Sequence, residues 1–207
     1  MIFSVSSLTM NKKSVFARAY SDVRRPFALA AILLVAIILA AIYPSDIDSY
    51  PVLPAGTPTP KVVRLTEDYV RFVPTAVQIA LPIVLGDEVG LAQLVYVGIS
   101  ATIATHGTKY LLNDRWVMGT RLGRRPDRTN THSNMPSGHS SMASCAVYFV
   151  GRRYSIWLAI PLAIIMLLTM YARVMLNQHT ISAVIAGALI GFLATAMFTS
   201  PRRPVEG

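Results

Sequence analysis

The stretch PSGHSSMASCAVYFVGRRYSIWLAIPLAIIMLLTMYARVMLNQH, from Pro136 to His179, decides how the rest of the chain is read. A polar cluster stands at each end: Pro136-Ser137-Gly138-His139 first, and Arg173 to His179 last. Between them lie two apolar segments, Gly138 to Val150 and Tyr154 to Tyr171, parted by Arg152 and Arg153. Two successive helices that cross a membrane return the chain to the side it left. His139, Arg173 and His179 are therefore expected at one membrane face. A basic loop, Lys109 to Arg128, leads into the same place. Guanidinium groups match phosphate oxygens, so the arrangement suits a phosphate group carried by a lipid.

Composition agrees with a membrane setting. The chain has 207 residues, 53% apolar and only 14% charged, which is too apolar for an ordinary soluble domain. A formal net charge of +9 would suggest nucleic acid on a soluble protein. With these apolar runs, membrane orientation and anionic lipid explain it better, and no nucleic-acid partner is expected. Cys145 is the single cysteine, so no intrachain disulfide can form. No Cys/His cluster has zinc spacing and no acidic cluster suggests calcium, so no metal or other cofactor is expected.

A spanning helix needs roughly 20 mostly apolar residues and at least about 17. Pro26 to Tyr43, Val89 to Thr105, Tyr154 to Tyr171 and Thr180 to Phe198 are the clearest candidates. Phe72 to Leu85 and Gly138 to Val150 are shorter. The first of these two is either a span or a re-entrant segment. The second is rich in small residues and suits an interior helix. The expected fold is all-α, a polytopic six-transmembrane-helix bundle forming a single domain over residues 1–207. The first span lacks a small-x-small cleavage site, so it reads as an anchor rather than a signal peptide.

Lys12, Lys13, Arg18, Arg24 and Arg25 precede the first span, and Arg152, Arg153, Arg202 and Arg203 fall on the same side of a six-span chain. That side is expected to be cytoplasmic. Residues 1–25 then form a cytoplasmic tail, and 44–71 a periplasmic loop. Within that loop, Lys61 to Arg71 is either an interfacial helix or a solvated segment. The loop from His106 to Met135 opposes the charge rule, with Lys109, Arg115, Arg121, Arg124, Arg125 and Arg128 facing outward. Departures from such local rules gather at functional sites. Of the remaining histidines, His106 reads as an interfacial helix end and His132 as loop.

Each cluster has its own chemistry. Pro136-Ser137-Gly138-His139 opens a helix, whose first N–H groups and dipole favour an anion. Ser137 suits the N-cap or a phosphate oxygen, and Gly138 admits close approach to the backbone. The other reading is a plain helix start. Arg173 and His179 would lie some 240° apart on a continuous helix. The helix is therefore expected to end near Asn177 and Gln178, with His179 opening the last span.

Together, over about residues 105–191, the clusters resemble the type 2 phosphatidic acid phosphatase superfamily, which shares its site with vanadium haloperoxidases. That family carries Lys-x6-Arg-Pro, Pro-Ser-Gly-His and Ser-Arg-x5-His-x3-Asp. The second motif is complete at Pro136 to His139, and the third is matched at Arg173 and His179. The resemblance implies that His179 attacks phosphorus and that His139 protonates the leaving oxygen, then activates water. It implies that Lys109, Arg125, Ser137, Gly138 and Arg173 hold the phosphate, without metal. Three positions depart from the pattern. Met118 stands seven before Arg125, where the family has lysine, leaving Lys109, Arg115 or Arg121 for that role. Ala172 replaces the serine, and Ala183 replaces the aspartate. For the missing carboxylate, Ser182 is the local candidate to orient His179, and Asp114 or Asp127 the distant ones.

The resemblance implies a lipid phosphatase in a bacterial inner membrane with its site facing the periplasm. The Arg121 to Pro126 and Met135 to Ser141 segments look most like those of lipid A 1-phosphatases. Undecaprenyl diphosphate and phosphatidylglycerophosphate are alternative substrates, and a lipid phosphotransferase is an alternative reaction. An inactive homologue that binds anionic lipid, or a subunit of a transport complex, is the alternative of a different class. Expected partners are the membrane and an anionic phospholipid or lipid A, and the oligomeric state stays open.

Overall fold

The apolar segments fold as helices because each satisfies its backbone polar groups internally. The computed structural model describes residues 12–45, 47, 53, 56–126 and 132–203. Its helices are α1 (Lys12–Ser21), α2 (Phe27–Ile42), α3 (Lys61–Asp68), α4 (Val73–Val84), α5 (Glu88–Leu112), α6 (Gly138–Arg153), α7 (Ile156–Met175) and α8 (Ile181–Ala196). A 3₁₀ turn, Val70–Phe72, leads from α3 into α4.

Each of the six apolar segments is helical, but the expected six crossings are not all supported by length. Among the described residues, α5 and α7 are the helices long and apolar enough to cross a membrane. The other four have 12 to 16 residues. At 1.5 Å per residue, 16 residues reach about 24 Å, short of a hydrocarbon core of roughly 30 Å.

Two further expectations are corrected. The chain is not purely α: β1 (Trp116–Val117) and β2 (Thr120–Arg121) form an antiparallel hairpin in the basic segment. Its two-residue loop, Met118-Gly119, has φ of 46° and 78°, the left-handed pair that tight hairpins require. And α5 does not stop at Thr105. It runs on to Leu112, which puts His106 and Lys109 on a helix rather than in the loop. The Lys61 to Arg71 segment resolves toward a helix, α3.

Helices α6 and α8 form the tightest pair. A Cβ at Gly187 would stand 2.2 Å from the Ser137 carbonyl oxygen, and one at Gly191 would stand 2.1 Å from Ser144 Oγ. Small residues bring the two backbones together, as expected for an interior α6. The contact also joins the start of α6 to α8, since Ser137 N donates to Ala183 O at 2.9 Å.

At the far end of the same helices, Arg153, one of the charges used for orientation, is held inside the protein. It is buried, with Nε and Nη2 each donating to an Asp87 carboxylate oxygen at 2.6 Å. Nη1 reaches Gln93 Oε1 and the Ser200 carbonyl, while Tyr154 donates its hydroxyl to Asp87. The network ties α5, α6 and the C-terminal segment together. Helix α1 packs Val15 and Ala19 against Ala92 of α5.

Candidate active site

The two motif histidines lie at neighbouring helix starts. Ser137 is the N-cap of α6, and its hydroxyl accepts from Ser140 N at 3.5 Å and from Ser140 Oγ at 3.1 Å. Of its two expected roles it therefore shows the cap. Gly138 follows with its Cα open, since an added Cβ would meet nothing nearer than Thr105 Cγ2 at 3.9 Å. His139 is half-buried on the first turn.

Helix α7 ends at Met175, and Asn177 turns the chain with φ of 55°. The break falls where the sequence placed it. His179 follows, 2% exposed, just before Thr180 caps α8 by accepting from Ala183 N. The ring is held by a group that the sequence did not single out: Nδ1 lies 2.7 Å from the carbonyl oxygen of Asn134. The Asn134 side chain clamps the next residue, with Oδ1 accepting from Thr180 N at 3.0 Å and Nδ2 donating to Thr180 Oγ1 at 3.3 Å.

That geometry corrects the expectation for Ser182. Its Oγ is 3.0 Å from Ser45 Oγ and 3.0 Å from Thr180 Oγ1, so it braces α8 against the segment after α2. The group at the imidazole is the Asn134 carbonyl. Asp114 does not serve either, being paired with Arg121 at 2.8 Å beside His132. Asp127 lies outside the described residues.

The cationic side chains converge. Arg125 Nη1 donates to Gln178 Oε1 at 2.8 Å, and Arg173 Nη2 approaches the same oxygen at 3.5 Å. Lys109, on the last turn of α5, is near enough for its charge to act on His139, His179, Arg125 and Arg173. The longer helix thus brings Lys109 in despite its distance from Arg125 in sequence. Arg121 is engaged with Asp114 and His132, and Arg115 is exposed. Lys109 also borders a cavity of about 620 Å³ lined by His106, Asn113, Asp114 and Arg115.

Two more groups were missed. Glu67 on α3 accepts from Arg173 Nη1 at 2.6 Å and from Arg71 Nη1 at 2.5 Å. Arg71 Nη1 also donates to His139 Nε2 at 3.1 Å. Their spacing is that of an ordinary surface i,i+4 pair, which is why it drew no attention. Asn134 offers no side-chain clue, because it works on the ring through its main chain.

Electrostatics set the state of His179. Burial holds its pKa well below the usual histidine range, and the Arg173 charge pushes the same way against the Asn134 bond. The ring is therefore neutral near pH 7. A carbonyl can only accept, so Nδ1 carries the proton and Nε2 keeps its lone pair. The site joins a neutral imidazole with a free lone pair, a second imidazole and several cations, a set suited to an anionic phosphorus centre. Among the described residues, no group of three His, Cys, Asp or Glu side chains could hold a metal ion.

An apolar groove of about 470 Å³ opens beside this site, between α4, α5 and α6. Its lining runs from Ile79, Leu91 and Val95 to Thr105, Gly138 and Met142.

Comparison with known proteins agrees with the motifs. The chain is 43% identical over 155 residues to a lipid A 1-phosphatase of Helicobacter pylori (strain ATCC 700392 / 26695), covering 75% of this chain and 80% of that protein. It is 34% identical over 143 residues to a lipid A 4'-phosphatase of Helicobacter pylori (strain J99 / ATCC 700824), covering 66% and 69%. The crystal structure of a PAP2-type phosphatidylglycerolphosphate phosphatase from Bacillus subtilis aligns with 89% of this chain and 92% of its own, at 16% identity and a TM-score of 0.49. Residues 90–203, which carry both histidine clusters and the cations from Lys109 onward, match the PAP2 superfamily, and to that superfamily the chain belongs.

Proposed function

We propose that this chain removes the 1-phosphate of lipid A at the periplasmic face of a bacterial inner membrane, through a phosphohistidine on His179. The coarser statement is plain: it is a membrane lipid phosphatase. The finer one rests on a single observation. The relatives at 43% and 44% identity, each matched over about three-quarters of this chain, are lipid A 1-phosphatases. The apolar groove beside Gly138 supports a lipid substrate, since it leads an acyl chain to the phosphate site.

The chemistry follows from the geometry. His179 Nε2 forms a bond to phosphorus while the bond to the leaving oxygen breaks. The proton stays on Nδ1, donated in a hydrogen bond to the Asn134 carbonyl, which stabilises the charge that develops on the ring. His139 gives the leaving oxygen its proton. Water then attacks phosphorus as the P–Nε2 bond breaks, His139 takes a proton from that water, and inorganic phosphate leaves with His179 neutral again. Arg125, Arg173 and Lys109 hold the phosphoryl oxygens throughout, which is most of what phosphoryl transfer needs.

The test uses purified protein in detergent with EDTA, given lipid A bearing both phosphates. The expected result is release of inorganic phosphate, with mass spectrometry locating the loss at the 1-position. Vanadate should inhibit by adopting the five-coordinate geometry. Loss only of the 4'-phosphate, or activity that appears only on adding a divalent ion, would sink the reading.

A further inference from the structure

Glu67 sits where an anion belongs. Its Oε1 accepts from both Arg71 and Arg173, so one carboxylate oxygen holds two guanidinium groups. The cluster remains incomplete as a hydrogen-bonded set. Glu67 Oε2, Arg71 Nε and Arg173 Nε are all buried without a hydrogen-bond partner among the described residues. The unused Glu67 oxygen does not meet the two unused donors, which leaves them to a ligand whose acceptor atoms are placed differently. A phosphate brings three oxygens where the carboxylate brings two, and more charge.

We propose that Glu67 is an internal stand-in for the substrate phosphate, and that Arg71 passes from Glu67 to the substrate as a further phosphate-binding residue. This rests on the phosphatase reading above. A carboxylate and a phosphate cannot share the Arg173 guanidinium without strong like-charge repulsion, so binding exchanges one for the other. The exchange has a second consequence. Arginine only donates, so while Arg71 faces His139 Nε2 that nitrogen carries no proton. A phosphate that takes Arg71 frees the Nε2 lone pair to take up a proton from water, which it then gives to the leaving oxygen. In the empty site Glu67 keeps both guanidinium groups in place, and after turnover it competes with product phosphate for them.

Two residues bonded to each other should then give opposite effects. Inorganic phosphate binding is measured by titration calorimetry on the full chain in detergent, for the parent, Glu67→Gln and Arg71→Gln. Hydrolysis is followed in parallel. Glu67→Gln keeps an acceptor oxygen but removes the competing charge. It should bind phosphate about tenfold tighter and lower KM and the product-inhibition constant together, without raising kcat. Arg71→Gln should bind phosphate about tenfold more weakly. If Glu67→Gln does not fold, Glu67→Leu removes the same charge and carries the same expectation. A merely structural pair would weaken binding in both variants. That result, or unchanged binding on removing the Glu67 charge, overturns the proposal. If the parent binds phosphate but hydrolyses no lipid phosphate, the phosphatase reading fails, while the opposite-sign test still decides the exchange.

Discussion

His179 presents Nδ1 to the Asn134 main-chain carbonyl at 2.7 Å, and the carbonyl does the orienting work expected of an aspartate at position 183. Ala183 itself is fully buried, against Leu122, Met135 and Ala186. Restoring the aspartate should therefore harm the protein. Ala183→Asp would bury a carboxylate among apolar groups, at a cost of several kcal/mol. Reduced thermal stability and reduced phosphate release are expected. Ser182→Ala should lower kcat less than twofold, because its partners are Ser45 and Thr180. Asn134→Ala should lower kcat more than it raises KM, since Thr180 N loses its acceptor beside the ring, a loss worth about 1–3 kcal/mol. A severe Ser182→Ala with a silent Asn134→Ala would reverse this assignment.

The histidines should separate by leaving group. His179→Ala should abolish turnover and leave no phosphoenzyme, because no other nucleophile replaces it. His139→Ala should be slow on lipid, by roughly 10²–10⁴-fold, the usual contribution of a general acid. On a substrate with a good leaving group it should recover much of that loss. Near-normal hydrolysis by His179→Ala would remove it from the mechanism.

How much of this was legible in the sequence depends on the residue. That His139 and His179 stand at neighbouring helix starts followed from two apolar segments between them, and the helix break at Asn177 followed from the 240° that a continuous helix would impose. Lys109 was harder. An apolar run ends at the first polar residues, His106 to Lys109, but hydrogen bonding carries the helix on to Leu112. Glu67 and Arg71 look like a solvated pair until α3 is folded over Arg173. Arg153 looked like an orientation charge because its partner, Asp87, lies 66 residues away. A main-chain carbonyl such as that of Asn134 is common to every residue, so no side-chain pattern can announce it.

The Arg153–Asp87 pair offers a test of stability apart from chemistry. Breaking one side strands a buried charge, typically at 3–5 kcal/mol. Asp87→Asn and Arg153→Met should each lower the thermal midpoint in detergent markedly. The double variant should recover part of the loss, since neither charge is then left alone. Both should keep kcat per folded molecule, because the network sits at the other end of α6 from His139. An unchanged midpoint in both single variants would mean the pair is solvated.

Sidedness can be read with cysteines in a Cys145→Ser background. Met118→Cys lies at the exposed tip of the hairpin, and Arg152→Cys is exposed at the far end of α6. In intact spheroplasts, an impermeant thiol reagent should label the first and spare the second. The reverse pattern would place the site in the cytoplasm.

The last prediction concerns acid. His179 has its folded pKa held well below the ordinary value, chiefly by burial and next by Arg173. In the proposed mechanism its neutral form attacks phosphorus. Activity should therefore persist as pH falls through about 6.5, the usual histidine value, and decline only well below it. Stability follows the same sign. The unfolded chain takes up a proton on this residue near pH 6.5, while the folded chain resists until a much lower pH. The contribution is fully present above pH 6.5 and is lost as pH falls from there through the folded pKa. Thermal unfolding from pH 8 to pH 5 should show a falling midpoint in the parent and a shallower fall in His179→Gln, which has no proton to gain. A midpoint that falls equally in both would mean other groups carry the acid sensitivity. A kcat that halves near pH 6.5, and tracks the His179 titration by NMR, would show the ring to be solvated in the working enzyme.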